Sequence, residues 1–381
     1  MKANYVIIGA GISGCSIAYN LAIKGVKDIV VFDKSYLTSG ATGRCGAGIR
    51  QQWATKMNCE LAKASIQFFE KAKEVLDYPG DLEFKQDGYL IVAITEAEDK
   101  QFTKNVALQN SLGIPSRKLT KEEAKEIVPH LDISKIISAT FCPTDGHLNP
   151  FTTTDAYYNA AKKLGVKFFF NEEVREIIVQ NNKIEKVITD NYNVLTNNVI
   201  NAAGGYSKEV GLLAGIDIPV YSERHEILVT EPIEIIQGPM VMSFANNIYC
   251  QQVPHGSFLM GRSEIGVEKN HNIISSWRFL DEMAKTVCDL MPLIGELRVI
   301  RQWAGLYNMS PDRQPIIGKV DQLPGFYIAC GYSGHGFMFA PVTGILLSEI
   351  ILGEKPSFNI NELSMNRFKD KINYDYEKSV V

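Results

Sequence analysis

Residues 5 to 14 read Tyr5-Val6-Ile7-Ile8-Gly9-Ala10-Gly11-Ile12-Ser13-Gly14, and Asp33 closes the next apolar run, Ile29-Val30-Val31-Phe32. An apolar strand, a G-x-G-x-x-G turn, a helix, a second strand and a terminal acid constrain the chain to open as a βαβ unit that cradles a dinucleotide. Gly9 permits the tight turn out of the strand, Gly11 lets the backbone approach a pyrophosphate, and Gly14 lets the helix pack closely on the sheet. Ile12 and Ser13 open the helix, whose unpaired N–H groups and positive dipole end attract the anion. Asp33, about 20 residues past the turn, is placed to accept hydrogen bonds from ribose hydroxyls.

The 381 residues suffice for two domains or for one domain with a large insertion. With 45% hydrophobic and 22% charged residues the composition is that of a soluble globular protein, and a net charge of −4 points to neither nucleic acid nor an anionic membrane. No apolar stretch is long enough to span a bilayer, and a first strand at Tyr5 leaves no room for a signal peptide. The seven cysteines are scattered, odd in number and without a C-x-x-C pair. They predict neither a zinc site nor a disulfide framework, but small buried apolar side chains in a reducing cytoplasm.

Periodicity predicts helices over about 56–76, 96–112, 121–128, 152–164, 275–291 and 337–352. Leu61, Ala64, Phe68, Ala72 and Val75 share one face of the first. Strands are predicted over 84–94, interrupted by Asp87-Gly88, and over 166–170, 174–179, 183–189, 221–230, 247–262 and 326–330. Residues 198–205 read as a strand running into the turn Ala203-Gly204-Gly205. The stretch Ser39 to Gly48 is too rich in glycine for a helix and too long for a simple turn. A second strand–glycine turn–helix unit runs from Phe326 through Gly331-Tyr332-Ser333-Gly334-His335-Gly336 and again presents N–H groups at a helix start. A nucleotide domain opened at residue 5 and finished near residue 350 implies interleaved domains.

Four stretches carry a more specific signal. They are Gly9 to Gly14; Ala41-Thr42-Gly43-Arg44 through Gly48-Ile49-Arg50; Trp303-Ala304-Gly305 with Met309-Ser310-Pro311-Asp312 and Pro315-Ile316-Ile317-Gly318; and Gly331 to Met338. Together they resemble the FAD-dependent amine and amino-acid oxidoreductases of the D-amino-acid oxidase/glycine oxidase/sarcosine oxidase superfamily. The resemblance covers nearly the whole chain and is nearest to the beta subunits of heterotetrameric sarcosine oxidase and dye-linked L-proline dehydrogenase. It implies an α/β chain, α+β overall. A Rossmann-like FAD-binding domain of the glutathione-reductase type (1–82, 140–218 and 300–365) would interleave with an antiparallel-sheet substrate domain (83–139 and 219–299), followed by a tail, 366–381.

It also implies non-covalent FAD. The N-terminal glycines would hold the pyrophosphate, Asp33 the adenosine ribose and the backbone of Val174 the adenine, with Lys34 among the cofactor-binding residues. Thr42, Gly43, Arg44, Gly46, Ala47 and Gly48 would run along the ribityl chain and flavin. Gly331, Gly334, His335, Gly336, Phe337 and Met338 would meet the pyrimidine edge, with Ala203, Gly204 and Gly305 completing the set. A helix N-terminus there stabilises the charge that reduction leaves at N1 and the C2 carbonyl.

The implied reaction takes a hydride from the carbon beside an amine, giving an imine that water hydrolyses. The amine must be neutral; a free amine titrates near about 10, and an apolar cavity lowers that value, so a dedicated base is unnecessary. Arg50 matches the arginine that holds the substrate carboxylate in monomeric sarcosine oxidase, where a guanidinium forks onto both oxygens. By resemblance to proline dehydrogenase beta subunits, His225, Tyr249 and Glu264 line the substrate pocket. His225 would donate to a carboxylate, Tyr249 would bond the amine or carboxylate, and Glu264 would pair with a cationic amine. His335 reads as structural support rather than a base.

Two departures narrow the reading. Tyr307 stands where glycine oxidase and D-amino-acid oxidase carry a carboxylate-binding arginine, and Met338 where monomeric sarcosine oxidase has the lysine linked with oxygen activation. Leu148 to Thr153 holds no histidine for covalent FMN, so an FMN would be non-covalent, at an interface with an alpha-type subunit. The substrate class is a small amine or amino acid such as proline or sarcosine. The alternatives are a flavin-holding electron-relay or structural subunit without amine turnover of its own, a glycine or D-amino-acid oxidase, and a plain NAD-dependent dehydrogenase.

Overall fold

The computed structural model describes residues 1–263, 266 and 268–369. The strand Tyr5–Ile8 sits inside a six-stranded sheet, between Val199–Asn201 and Ile29–Asp33. Lys167–Phe170 flanks one side and Phe326–Cys330 then Ile316–Lys319 the other. All pairings are parallel except the last. Such strands are buried on both faces, hence their unbroken apolar runs. Alternate residues divide between two cores: Ile7, Ile29 and Val31 face the helices Ile12–Ile23 and Ala340–Leu352, while Val6, Ile8, Val30 and Phe32 face the three-stranded sheet of residues 174–195.

The second large sheet has eight strands, in the order Val299–Met309, Tyr221–Thr230, Phe258–Ser263, Ile248–Gln252, Met240–Ser243, Tyr89–Ala93, Ser138–Cys142 and Arg117–Thr120. Only Met240–Ser243 on Tyr89–Ala93 is parallel. One face packs on the helix Trp277–Leu290, whose Phe279, Met283 and Val287 join Leu90, Val92 and Leu228; the other is turned to the dinucleotide side.

Several boundaries differ from the periodicity. The helix expected over 56–76 breaks after Phe69, resumes only for Ala72–Val75, and leaves Val75 exposed. The helix expected from Thr152 begins at Pro150, because Asn149 caps it, accepting from the N–H groups of Phe151 (2.9 Å) and Thr152 (3.3 Å). The run 247–262 is two strands, since Pro254 and Gly256 (φ +99°) turn the chain back. The final helix starts at Ala340, three residues late, with Pro341 in its first turn. The glycine-rich stretch includes a single 3-10 turn, Ala41–Arg44. Among the described residues no helix is long and apolar enough to cross a membrane.

Candidate active site

A cavity of about 700 Å³ runs along the carboxyl ends of the parallel strands, past Ile8, Asp33, Ala202 and Ala329, and under the open face of the eight-stranded sheet. Ligand sites in such sheets lie beyond these strand ends. The close approach at the opening turn is built from glycine. Gly9 has φ +108°, and a Cβ there would press into the Ala202 carbonyl group. A Cβ on Gly14 would press into the Gly9 carbonyl oxygen, so Gly14 serves helix packing and lies behind the cavity wall. Asp33 is fixed by two backbone donors, Ala10 N–H to Oδ2 (2.8 Å) and Ser35 N–H to Oδ1 (2.9 Å), each oxygen keeping a second lone pair. Thr42 Oγ1 accepts from the first helical N–H, Ile12, at 3.2 Å, tying the glycine-rich loop to the helix start. Lys34 Nζ lies 3.1 Å from the ring centroid of Tyr206, which also borders this end of the cavity.

At the opposite end the wall is aromatic and neutral. His225 lies flat on Tyr307, with centroids 4.1 Å apart and planes within 4°. Its Nε2 is 3.2 Å from Tyr249 Oη. Burial depresses the imidazole to about 3, so it stays neutral, and burial likewise raises the Tyr89, Tyr249 and Tyr307 hydroxyls above the usual phenol value. Two bare backbones shape this face. Gly261 leaves room for the Tyr249 ring, whose Cε1 would be 2.7 Å from a Cβ there, and Gly305 admits Arg44, whose Cβ would be 3.1 Å away.

Arg50, only 3% exposed, brings a buried cation to this end. Its guanidinium stacks on Trp53, 3.6 Å from the centroid, and gives Nη1–H to the Gln52 carbonyl at 2.6 Å. Asp145, fully buried behind this turn, accepts from the Gln51 N–H (2.7 Å) and Gln52 Nε2 (3.0 Å). His335 meets Trp53 edge-on at 4.3 Å and is held neutral by burial and then by the Arg50 charge.

The expected residues therefore meet in one place. Gly9, Gly11, Ile12, Ser13, Asp33, Lys34, Thr42, Arg44, Gly46, Ala47, Gly48, Val174, Ala203, Gly204 and Gly305 line the cavity, as do Arg50, His225, Tyr249 and Gly334 to Met338. Gly43 and Gly331 stand behind the wall, like Gly14. Gly43 packs inward on the Thr38 carbonyl, and Gly331 (φ +67°) on Ile316, Ser310 and Val220. Glu264 lies outside the described residues. Cys45 and Cys288 depart from the buried-thiol expectation: Cys288 is exposed, and Cys45 lines the cavity with its thiol pushed up to about 11 by burial. Sequence reasoning missed Tyr89, Met240 and Met242 in the wall. Their one trace is Gly48, where a Cβ would press into Tyr89 Oη and lie 2.9 Å from Met240 Cε.

The FAD dependent oxidoreductase family model, DAO, matches residues 4–350. The crystal structure of L-proline dehydrogenase from P. horikoshii superposes with a TM-score of 0.92 at 37% identity, covering 97% of this chain and 98% of that one. Sarcosine oxidase subunit beta of Rhodobacter capsulatus is 25% identical over 97% of this chain and 89% of its own length. Mitochondrial dimethylglycine dehydrogenase of Rattus norvegicus is 27% identical over 96% of this chain but only 45% of its own length. With a family match reaching from the first strand to the last helix, and glycines and an acid set at the strand ends as a dinucleotide requires, the chain belongs to the DAO family of FAD-dependent oxidoreductases.

Proposed function

We propose that this protein takes a hydride from the carbon beside the amine of a small amino acid or secondary amine, proline- or sarcosine-like, giving an imine that water hydrolyses. One observation carries the reading: a buried arginine, Arg50, shares a cavity end with four neutral hydrogen-bonding rings, Tyr89, His225, Tyr249 and Tyr307. That set suits one carboxylate and one amine.

The residues fit FAD. Gly40 and Gly204 border the cavity with open space where a Cβ would stand, Asp33 offers paired lone pairs, and a helix start faces the turn. When bound, FAD supplies the hydride acceptor. Arg50 receives the carboxylate; its plane is already set by Trp53, so little side-chain freedom is lost on binding. Tyr249 and neutral His225 hydrogen-bond the polar end of the substrate. Ile227, Met240 and Met242 keep water out and favour the neutral amine that hydride loss requires. Pairing of Glu264 with a cationic amine belongs to the same reading.

Non-covalent FAD, the two interleaved domains and a cytoplasmic setting are further parts of it. The similarity to sarcosine oxidase subunit beta supports an alpha-type partner subunit, with an FMN held non-covalently at the interface.

The test is anaerobic bleaching of the flavin band across a panel of amines and amino acids. Reduction by at least one secondary amine is expected, and none by any member would overturn the proposal in favour of an electron-relay subunit. Arg50→Ala should retain FAD yet lose about 10²-fold or more in kcat/KM, as expected for a charge-assisted pair worth roughly 3 kcal/mol.

A further inference from the structure

We propose that Tyr249, His225 and Ser263 form a proton exit from the cavity, with Ser263 as its outer end. The inference rests on the amine reading above, which requires a substrate ammonium to lose a proton inside a closed, largely apolar space. His225 is no base for that proton, because burial keeps it neutral down to about 3. A neutral imidazole can still pass a proton on, accepting at one nitrogen while donating from the other.

The geometry supplies both neighbours. Tyr249 lies across the bare backbone of Gly261 and brings its Oη to 3.2 Å from His225 Nε2. On the other side of the ring, Nδ1 is 3.4 Å from Ser263 Oγ. Ser263 is the register partner of His225 on the adjacent strand, and its N–H is anchored on Asn247 Oδ1 at 3.2 Å. Stacking between Tyr249 and Tyr307 prevents the imidazole from turning away. Tyr249 and His225 line the cavity, whereas Ser263 lies outside it, half-buried at the end of its strand. The three groups thus lead from the cavity wall toward solvent. Among the described residues, the ionisable groups packed on His225 are Tyr249 from one strand and Tyr307 from another, both held as phenols, and Arg44 sits over its pairing partner Gly305.

The transfer balances without any redox partner. An N–H bond of the ammonium breaks and a new O–H bond forms on Tyr249. The phenolic proton passes to His225 Nε2, the Nδ1 proton passes to Ser263 Oγ, and the serine's own proton leaves to water. Each group ends with the number of protons it began with, the imidazole as its other tautomer.

Stopped-flow reduction of the FAD-loaded protein by proline, with Ser263→Ala and Ser263→Thr compared across pH, tests the proposal. Ser263→Ala should slow flavin reduction at saturating substrate by about 10-fold near neutral pH, with substrate Kd within about two-fold of wild type. The deficit should vanish as pH approaches about 10, where the amine arrives already neutral. Ser263→Thr, which keeps a hydroxyl, should restore the rate, and equal flavin absorbance certifies folding of both variants. A wild-type rate for Ser263→Ala at neutral pH, or the same loss at every pH, would overturn the relay while leaving the amine reading intact. A wild-type protein reduced by neither proline nor any other panel amine would overturn both.

Discussion

Replacing Asp145 with asparagine should remove a large pH-dependent loss of stability. The carboxyl is fully buried, and burial pushes it up to about 7 despite donors from Gln52 and Gln51 and the nearby Arg50 charge. In the unfolded chain it titrates at its ordinary value, 3.8. Between those limits the folded protein still holds a proton that the unfolded chain has released. Stability is therefore full below about pH 4, falls as pH rises, and levels off above about pH 7. At about 1.36 kcal/mol per pH unit the whole loss is on the order of 4 kcal/mol. Asparagine cannot ionise. Its Oδ1 still accepts from the Gln51 N–H, but its Nδ2 faces Gln52 Nε2, donor against donor, at a cost of roughly 1–3 kcal/mol. Asp145→Asn should thus be the less stable protein near pH 4 and equal or superior near pH 8. Urea unfolding of both proteins across that range, compared as a difference at each pH, cancels every other titrating group. Two parallel curves would refute the titration assigned to Asp145.

Two further substitutions probe the cavity walls. Gly261→Ala should cost roughly 1–3 kcal/mol from the clash with the Tyr249 ring and lower the rate of flavin reduction by substrate, because Tyr249 can no longer reach His225; denaturation and stopped-flow reduction read the two effects separately. Gly9→Ala has only backbone of Ala202 and Ala203 to push against and a φ of +108° to hold, so it should purify without yellow colour, and a variant with normal flavin absorbance would contradict the packing described.

What was legible in the sequence is mostly what the backbone does. The opening turn needs glycine for its φ and its close approach, and the acid after the second strand stands one strand away in register, so spacing alone predicts both. Helix ends were less legible, because caps such as Asn149 lie outside the periodic stretch that signals the helix. The aromatic end of the cavity was least legible. Its wall comes from a sheet in which Tyr89–Ala93 pairs with Met240–Ser243, far apart in the chain, and alternation tells which side a residue faces but not which strand lies beside it. Arg50, His225 and Tyr249 were nameable only through resemblance, and Tyr89 and the two methionines had no such help. Yet the same wall left a mark of another kind. Gly48, Gly261 and Gly305 sit within strands, where glycine weakens the ladder and has no turn to serve. Each lies under a large side chain from another part of the chain: Tyr89, Tyr249 and Arg44. These three strand glycines thus record long-range neighbours before those neighbours can be identified, and all three neighbours line the same cavity.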